Sequence, residues 1–347
     1  MKNAIIYFLI FVLLYLVTAV LARPGRRFDV SFPISRDFSM TIKGLAIACI
    51  VYGHLGNFFG IRYLTPLGSI GVAMFLVVSG YGINESWKKN GPHAYWRKRI
   101  VSVFLPYAVI ELAALPLRGG WRSFGQAVLD LTGIASTYYL GWYMRWILIC
   151  YTAYYLFALL PGGWKTLYFG FLAFGIGTIL FTPGRYAAQS FSFFFGILLS
   201  DHPAFCRRVG KWCWRFFTIM FLVGCTSLAV KQLPAVRSAG RIPMNLIEIL
   251  IAVGFAFAFS LLNYCIWQGI TANNRVSETV ASKIFWPLWA LGAISYEMYL
   301  THGYTLWVVK LSPLGALCFY VLTIGIAACV HVIIKRVQDK VRRTMNI

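Results

Sequence analysis

The chain has 347 residues, 59% of them hydrophobic and 12% charged, with a formal net charge of +22 and a mean hydropathy of +0.70. An ordinary soluble domain carries about 25% charged residues, so this composition excludes a soluble globular protein and predicts a polytopic α-helical membrane protein. The surplus of positive charge then belongs to loops facing the cytoplasm rather than to a nucleic-acid surface.

Residues 4–22 form the first apolar run. Only Lys2 precedes it, and the basic stretch ARPGRR follows it in place of a small-residue cleavage site, so it reads as a transmembrane helix rather than a signal peptide. Further apolar runs lie at about 41–60, 65–84, 101–117, 140–160, 165–182, 186–200, 213–230, 244–264, 286–308 and 312–334. Together they predict eleven spans, of which 186–200 is the shortest. Segment 123–138 reads as a surface helix or loop ahead of the span that begins at Leu140. Residues 1–39 are expected to form an added helix and linker, and residues 40–347 the membrane domain. The sequence shows no second soluble domain, internal repeat or low-complexity tract.

The basic residues orient the spans. With the 23–43 loop inside, the cytoplasmic segments hold Arg23, Arg26, Arg27, Arg36 and Lys43; Lys88, Lys89, Arg97, Lys98 and Arg99; Lys165; Arg207, Arg208, Lys211 and Arg215; Arg275 and Lys283; and Lys335, Arg336, Lys340, Arg342 and Arg343. The outer side receives Lys2, Arg62, Arg118, Arg122, Arg185, Lys231, Arg237, Arg241 and Lys310, while Arg145 falls within a span. This asymmetry predicts an outside N-terminus and a cytoplasmic C-terminus. The eight cysteines show no CxxC or Cys/His metal spacing and are expected to be buried free thiols, with no metal site.

The stretch Thr41 to Phe59, TIKGLAIACIVYGHLGNFF, carries the first candidate chemistry. Lys43 and His54 are eleven residues apart. At 100° per residue that is three turns plus about 20°, so both project from one helix face, ~16 Å apart along the axis. An ionisable group at membrane depth is costly and usually faces a polar cavity. A snorkelling flank would account for Lys43, and a bond to a helix neighbour for His54, if each stood alone.

In the next span, Gly68, Ser69, Gly71, Ser79, Gly80 and Gly82 permit close helix approach, and Ser79 and Tyr81 offer hydroxyls. The cluster Arg97, Lys98 and Arg99 follows. It suits a stop-transfer flank on anionic lipid or a phosphate site, since arginine contacts phosphate oxygens in pairs. Glu111, Arg145, Glu248, Glu297, His302 and His331 also fall in or beside spans. Glu297 lies about one turn before His302 and is placed to meet His54, where a carboxylate on one ring nitrogen raises basicity at the other. A structural pair with an arginine or tyrosine is the alternative. Arg145 sits among Trp142, Tyr143 and Trp146, suited to a glutamate partner or to acceptor oxygens with aromatic faces on a sugar. His331 reads as structural.

These stretches resemble the membrane-bound acyltransferase-3 family. The resemblance rests on Lys43-Gly44-Leu45 with His54; Gly71-Val72-Ala73-Met74-Phe75 with Ser79-Gly80-Tyr81; Arg97-Lys98-Arg99 with Pro106-Tyr107; Gly141-Trp142-Tyr143-Met144; and Ile294-Ser295-Tyr296-Glu297-Met298-Tyr299-Leu300-Thr301-His302. In order and spacing these cover about residues 37–335. The resemblance implies a ten-helix core, preceded here by one extra helix, that moves acyl groups, often acetyl from acetyl-CoA, onto sugars or related acceptors. The family's arginine in the Arg-x10-His pair is Lys43 here, which keeps the charge and loses the bidentate fork. Ser102 stands where many relatives have a second arginine.

The resulting expectation is an integral-membrane O-acyltransferase of the plasma membrane, with no bound cofactor and acyl-CoA as co-substrate. His54 and Glu297 would be catalytic. Lys43, Arg97, Arg99, Ser79 and Tyr81 would hold the donor, and Trp142, Arg145, Tyr296 and His302 a carbohydrate-type acceptor. Membrane lipid is the other expected partner, and nucleic acid is not. A proton-coupled transporter also suits histidine and glutamates at membrane depth, although transporters often show repeats. A non-catalytic partner in a glycan assembly complex is the third reading.

Overall fold

A computed structural model describes residues 2–22, 28–32, 34–93, 95–120, 123–134, 141–182, 184–272, 278–309 and 313–345. Arg23, Arg26, Arg27, Arg122, Leu140, Arg275 and Lys310, all placed by the sequence reading, lie outside the described residues. The described secondary structure is all helical. In chain order the helices are α1 (Lys2–Leu21), α2 (Arg36–Phe58), α3 (Thr65–Asn90), α4 (Tyr95–Arg99), α5 (Leu105–Ala114), α6 (Phe124–Leu131), α7 (Trp142–Leu159), α8 (Trp164–Phe181), α9 (Gly184–Ala187), α10 (Ser192–Asp201), α11 (Pro203–Lys211), α12 (Cys213–Val230), α13 (Pro234–Ser238), α14 (Arg241–Thr271), α15 (Glu278–Ala293), α16 (Ser295–Thr305) and α17 (Pro313–Met345).

Seven described helical segments are long and apolar enough to cross a membrane: Arg36–Phe58, Arg62–Asn90, Tyr95–Leu117, Trp164–Phe181, Cys213–Val230, Arg241–Thr271 and Leu314–Thr344. Ile5–Leu21 is a shorter apolar helix. Large side chains such as Leu13, Phe169, Phe181 and Val321 stay exposed, as lipid-facing surfaces require. Four of the eleven expected runs are not among these seven: 4–22 and 140–160, which form α1 and α7, and two that are broken. The run 186–200 is the four-residue α9 followed by the ten-residue α10. The run 286–308 is two helices, because the backbone at Ile294 (φ −105°, ψ 9°) leaves helical geometry between α15 and α16. Pro287, by contrast, is accommodated inside α15.

The chain forms two compact units, Met1–Glu85 with Pro161–Ala293 and Ser86–Leu160 with Ile294–Ile347. In the first unit α2 is clamped from two sides by glycine contacts. A Cβ on Gly44 would stand 1.9 Å from the Leu288 carbonyl oxygen of α15, and one on Gly292 of α15 would stand 1.9 Å from the Met40 oxygen. On another side of α2, a Cβ on Gly71 of α3 would meet the Ala46 oxygen at 2.4 Å, and one on Gly53 the Gly68 nitrogen at 2.5 Å. Small residues thus let backbones touch where lipid supplies no hydrophobic drive for helix association. The start of α2 is also fixed. Ser35 Oγ caps the helix by accepting from the Phe38 N–H, and the buried Asp37 carboxylate accepts from the Asp29 N–H and from Trp289 Nε1. The added helix α1 packs in this unit, where Tyr15 donates its hydroxyl to the Ile284 carbonyl and Tyr52 of α2 donates to that of Tyr7.

In the second unit, α4 runs through a π-helical turn, Ile100–Phe104, into α5. The cause is local. Leu105 N–H bonds the Ile100 carbonyl five residues back. The next such donor to Val101 would be Pro106, which has no N–H. The freed Val101 carbonyl accepts from Gln338 Nε2 of α17 (2.9 Å), and Val103 accepts from the Tyr296 hydroxyl of α16 (2.8 Å). Ser102 donates to the Lys98 carbonyl (2.6 Å). Segment 123–134 is partly helical: Ser123 caps α6, and the Asp130 carbonyl accepts from the buried Tyr107 hydroxyl.

Candidate functional site

Within the first unit, one helix carries both Lys43 and His54. Both side chains are half-buried. Taking Lys43 as the zero of angle at 100° per residue, His54 lies at about +20°. Met40 and Gly44, which face α15, fall at roughly +60° to +100°, and Ala46, Ile50 and Gly53, which face α3, at roughly −20° to −80°. The two helix contacts therefore set the rotation of α2 and leave the Lys43–His54 stripe between them. Ser79 and Tyr81 are half-buried on α3. That helix is held by backbone contact with α10: a Cβ on Gly80 would meet the Phe193 oxygen at 2.0 Å, and one on Gly196 the Val77 oxygen at 2.1 Å. Below them, Asn84 donates to Ser200 Oγ (3.0 Å) and Asp201 Oδ1 (2.7 Å), and Ser200 donates to Glu85 (2.7 Å). Glu248 forms an ion pair with Lys231, which accounts for that carboxylate structurally.

The remaining candidates lie in the second unit. Arg99 is the last residue of α4 before the π turn. Its guanidinium sits 5.4 Å from the Tyr95 ring centroid and 5.8 Å from that of Tyr151, and its Nε is buried without a hydrogen bond among the described residues. Cation–π contact holds the head in place, and Tyr95 is itself anchored by its hydroxyl on the Tyr151 carbonyl (2.9 Å). Arg97 is exposed. Arg145 lies in the first turn of α7, and its buried Nε also lacks a hydrogen bond among the described residues. Trp142 packs edge-on against Tyr143, whose ring lies 4.9 Å from that of Tyr299. A buried donor left unsatisfied in a native fold calls for an explanation, such as a ligand oxygen.

Three residues of the Ile294–His302 stretch are placed by specific bonds. Tyr296 is committed to the Val103 carbonyl. His302 is fully buried, with Nδ1 2.8 Å from the Tyr299 carbonyl and 3.0 Å from that of Met298. Carbonyls only accept, so Nδ1 carries the proton and Nε2 the basic lone pair. Glu297 Oε1 lies 3.0 Å from His331 Nδ1. The imidazole that Glu297 holds within this unit is thus that of His331, a residue read from the sequence as structural. The signal available was an ionisable side chain in an apolar run; the pairing itself, 34 residues apart in the chain, was not readable.

The units therefore hold different parts of the candidate set: Lys43, His54, Ser79 and Tyr81 in the first, and Arg97, Arg99, Trp142, Arg145, Tyr296, Glu297 and His302 in the second. No curated protein and no solved structure matches the chain. A family model described as an acyltransferase domain, that of the acyltransferase-3 family, matches residues 38–332. The match takes in α2 through most of α17 and leaves out α1. Spanning most of the sequence on an all-helical, membrane-type fold, it establishes that this chain belongs to the acyltransferase-3 family and is a membrane acyltransferase.

Proposed function

We propose that the protein is an O-acyltransferase of the plasma membrane that moves an acyl group, acetyl in the simplest case, from cytoplasmic acyl-CoA to a hydroxyl of a carbohydrate-type acceptor. The N-terminus lies outside and the C-terminus in the cytoplasm, as the basic residues predict. His54 is the general base. It takes the proton of the acceptor hydroxyl as that oxygen attacks the thioester carbonyl; the tetrahedral intermediate then collapses, the C–S bond breaks, and CoA thiolate leaves and takes up a proton. Lys43, Arg97 and Arg99 bind the donor's phosphates, and Ser79 and Tyr81 of α3 serve the donor as hydroxyl donors. Trp142, Arg145 and His302 engage the acceptor, while Tyr296, expected beside them, instead fixes the turn that follows Arg99 on the donor side. Glu297 orients the His331 imidazole within the second unit.

The observation that carries this reading is the Lys43–His54 stripe on α2, a cation and a base on one face of a helix whose rotation is fixed by backbone contacts. The buried Nε of Arg99 and that of Arg145, each without a hydrogen bond among the described residues, add to it. The test is binding of acetyl-CoA and of CoA to the purified protein in detergent, wild type against Lys43→Ala and Arg99→Ala. Weaker binding in both variants, with wild-type affinity falling as salt rises, is the expected result. Absence of binding by a folded wild-type protein overturns the donor assignment.

A further inference from the structure

The first unit encloses a cavity of about 580 Å³ that none of the proposed donor or acceptor residues lines. Its walls come from the segment ahead of α2 and from α2, α3, α10, α11, α12 and α14, with Phe32, Phe38, Met74, Phe195 and Ala256 among the lining side chains. The polar side chains on it are His202 and Ser260, and Ser260 is already committed to the Ala256 carbonyl of its own helix (2.8 Å). The volume falls within the ~300–1,000 Å³ range of ligand sites, but such sites place convergent polar groups for a polar ligand. Apart from His202 at its edge, this one offers a sugar no uncommitted polar side chain, so its occupant is hydrocarbon. At about 30 Å³ per methylene, close to the share of one water molecule in the liquid, it holds a chain of roughly 16 to 20 carbons.

The mouth identifies the head that such a chain carries. His202 is exposed and Phe205 is 50% exposed, though both line the cavity, so it opens where α11 begins. Phe205 and Val209 turn one face of α11 toward the cavity, while Arg207, Arg208 and Lys211 are exposed. Trp212 follows, half-exposed, with the Arg215 guanidinium 4.2 Å from its ring centroid. A short helix with a basic face, an apolar face and a flanking tryptophan lies in the headgroup layer. Arg208 is three residues beyond Phe205, hence its neighbour on the helix surface.

We propose that this cavity is a binding site for one acyl chain of an anionic phospholipid, whose phosphate rests on the basic face of α11 at Arg208 and Lys211. The bilayer supplies that ligand, and the charge complements it. The test adds phosphatidylglycerol or phosphatidylcholine to delipidated protein and counts retained lipids by native mass spectrometry. Wild type should retain one phosphatidylglycerol, about tenfold in preference to phosphatidylcholine. Ala256→Phe, which fills the cavity, should lose that lipid. Arg208→Gln with Lys211→Gln, both at exposed positions, should hold the two lipids equally well and keeps the test decisive should the filled variant not fold. Phosphatidylglycerol retained unchanged by a folded Ala256→Phe, equal retention of both lipids by wild type, or displacement of phosphatidylglycerol by palmitoyl-CoA would each overturn the proposal.

Discussion

Gly44→Ala is the smallest change that should disturb the helix carrying Lys43 and His54. The added Cβ would stand 1.9 Å from the Leu288 carbonyl oxygen, 2.7 Å from its carbonyl carbon and 3.0 Å from its Cα. All three are backbone atoms, so no side chain can swing aside. Real Cβ atoms essentially never approach closer than 3.0 Å, so α2 and α15 must separate by at least the difference, about 1.1 Å. Overpacking of this kind costs roughly 1–3 kcal/mol, and a shift of about 1 Å at a reacting group costs on the order of 100-fold in rate. Gly82→Ala and Gly68→Ala make the control, because a Cβ at either position meets nothing within 4 Å. Both lie inside α3, where alanine is favoured over glycine by about 1 kcal/mol. Thermal unfolding in detergent, followed by tryptophan fluorescence, should therefore show Gly44→Ala below wild type and the two controls at or above it. A Gly44→Ala protein that melts with wild type would refute the close α2–α15 contact and, with it, the argument that this contact sets the rotation of α2.

Two further outcomes follow from the second unit. Gln338→Leu and Tyr296→Phe each remove a donor from a carbonyl of the π turn, which should cost about 1–3 kcal/mol where the acceptor is left unsatisfied; because the turn follows Arg99, both should also weaken CoA binding, measured by isothermal titration, and stability loss with unchanged affinity would separate the turn from the donor site. His331→Leu strands the Glu297 carboxylate, whose side chain is 7% exposed, and should destabilise by ~2 kcal/mol or more. Adding Glu297→Met should recover most of that loss, and a double-mutant cycle with no coupling would contradict the pairing.

What the sequence disclosed was whatever is periodic or local. The apolar runs located α2, α3, α8, α12, α14 and α17 because lipid demands continuous apolar length, and the eleven-residue spacing put Lys43 and His54 on one face because a helix has a fixed pitch. Features made by distant partners stayed hidden. The π turn needs Pro106 beside it, but also acceptor relief from Tyr296 and Gln338, 193 and 237 residues away. The Glu297–His331 pair joins two helices, and the division of 286–308 at Ile294 leaves no apolar gap to read. In α11 the basic residues were visible as loop charge, while its apolar face became meaningful only once Phe205 and Val209 were seen lining a cavity.

The measurement that bears most directly on the account is transfer of label from radiolabelled acetyl-CoA to envelope material in membranes containing wild-type protein or His54→Ala at matched abundance. The account predicts label in an alkali-labile, ester-linked product with wild type and its loss with His54→Ala, while CoA binding to the variant is retained. Undiminished transfer by a His54→Ala protein would contradict the role given to His54 and the stripe on which the mechanism rests.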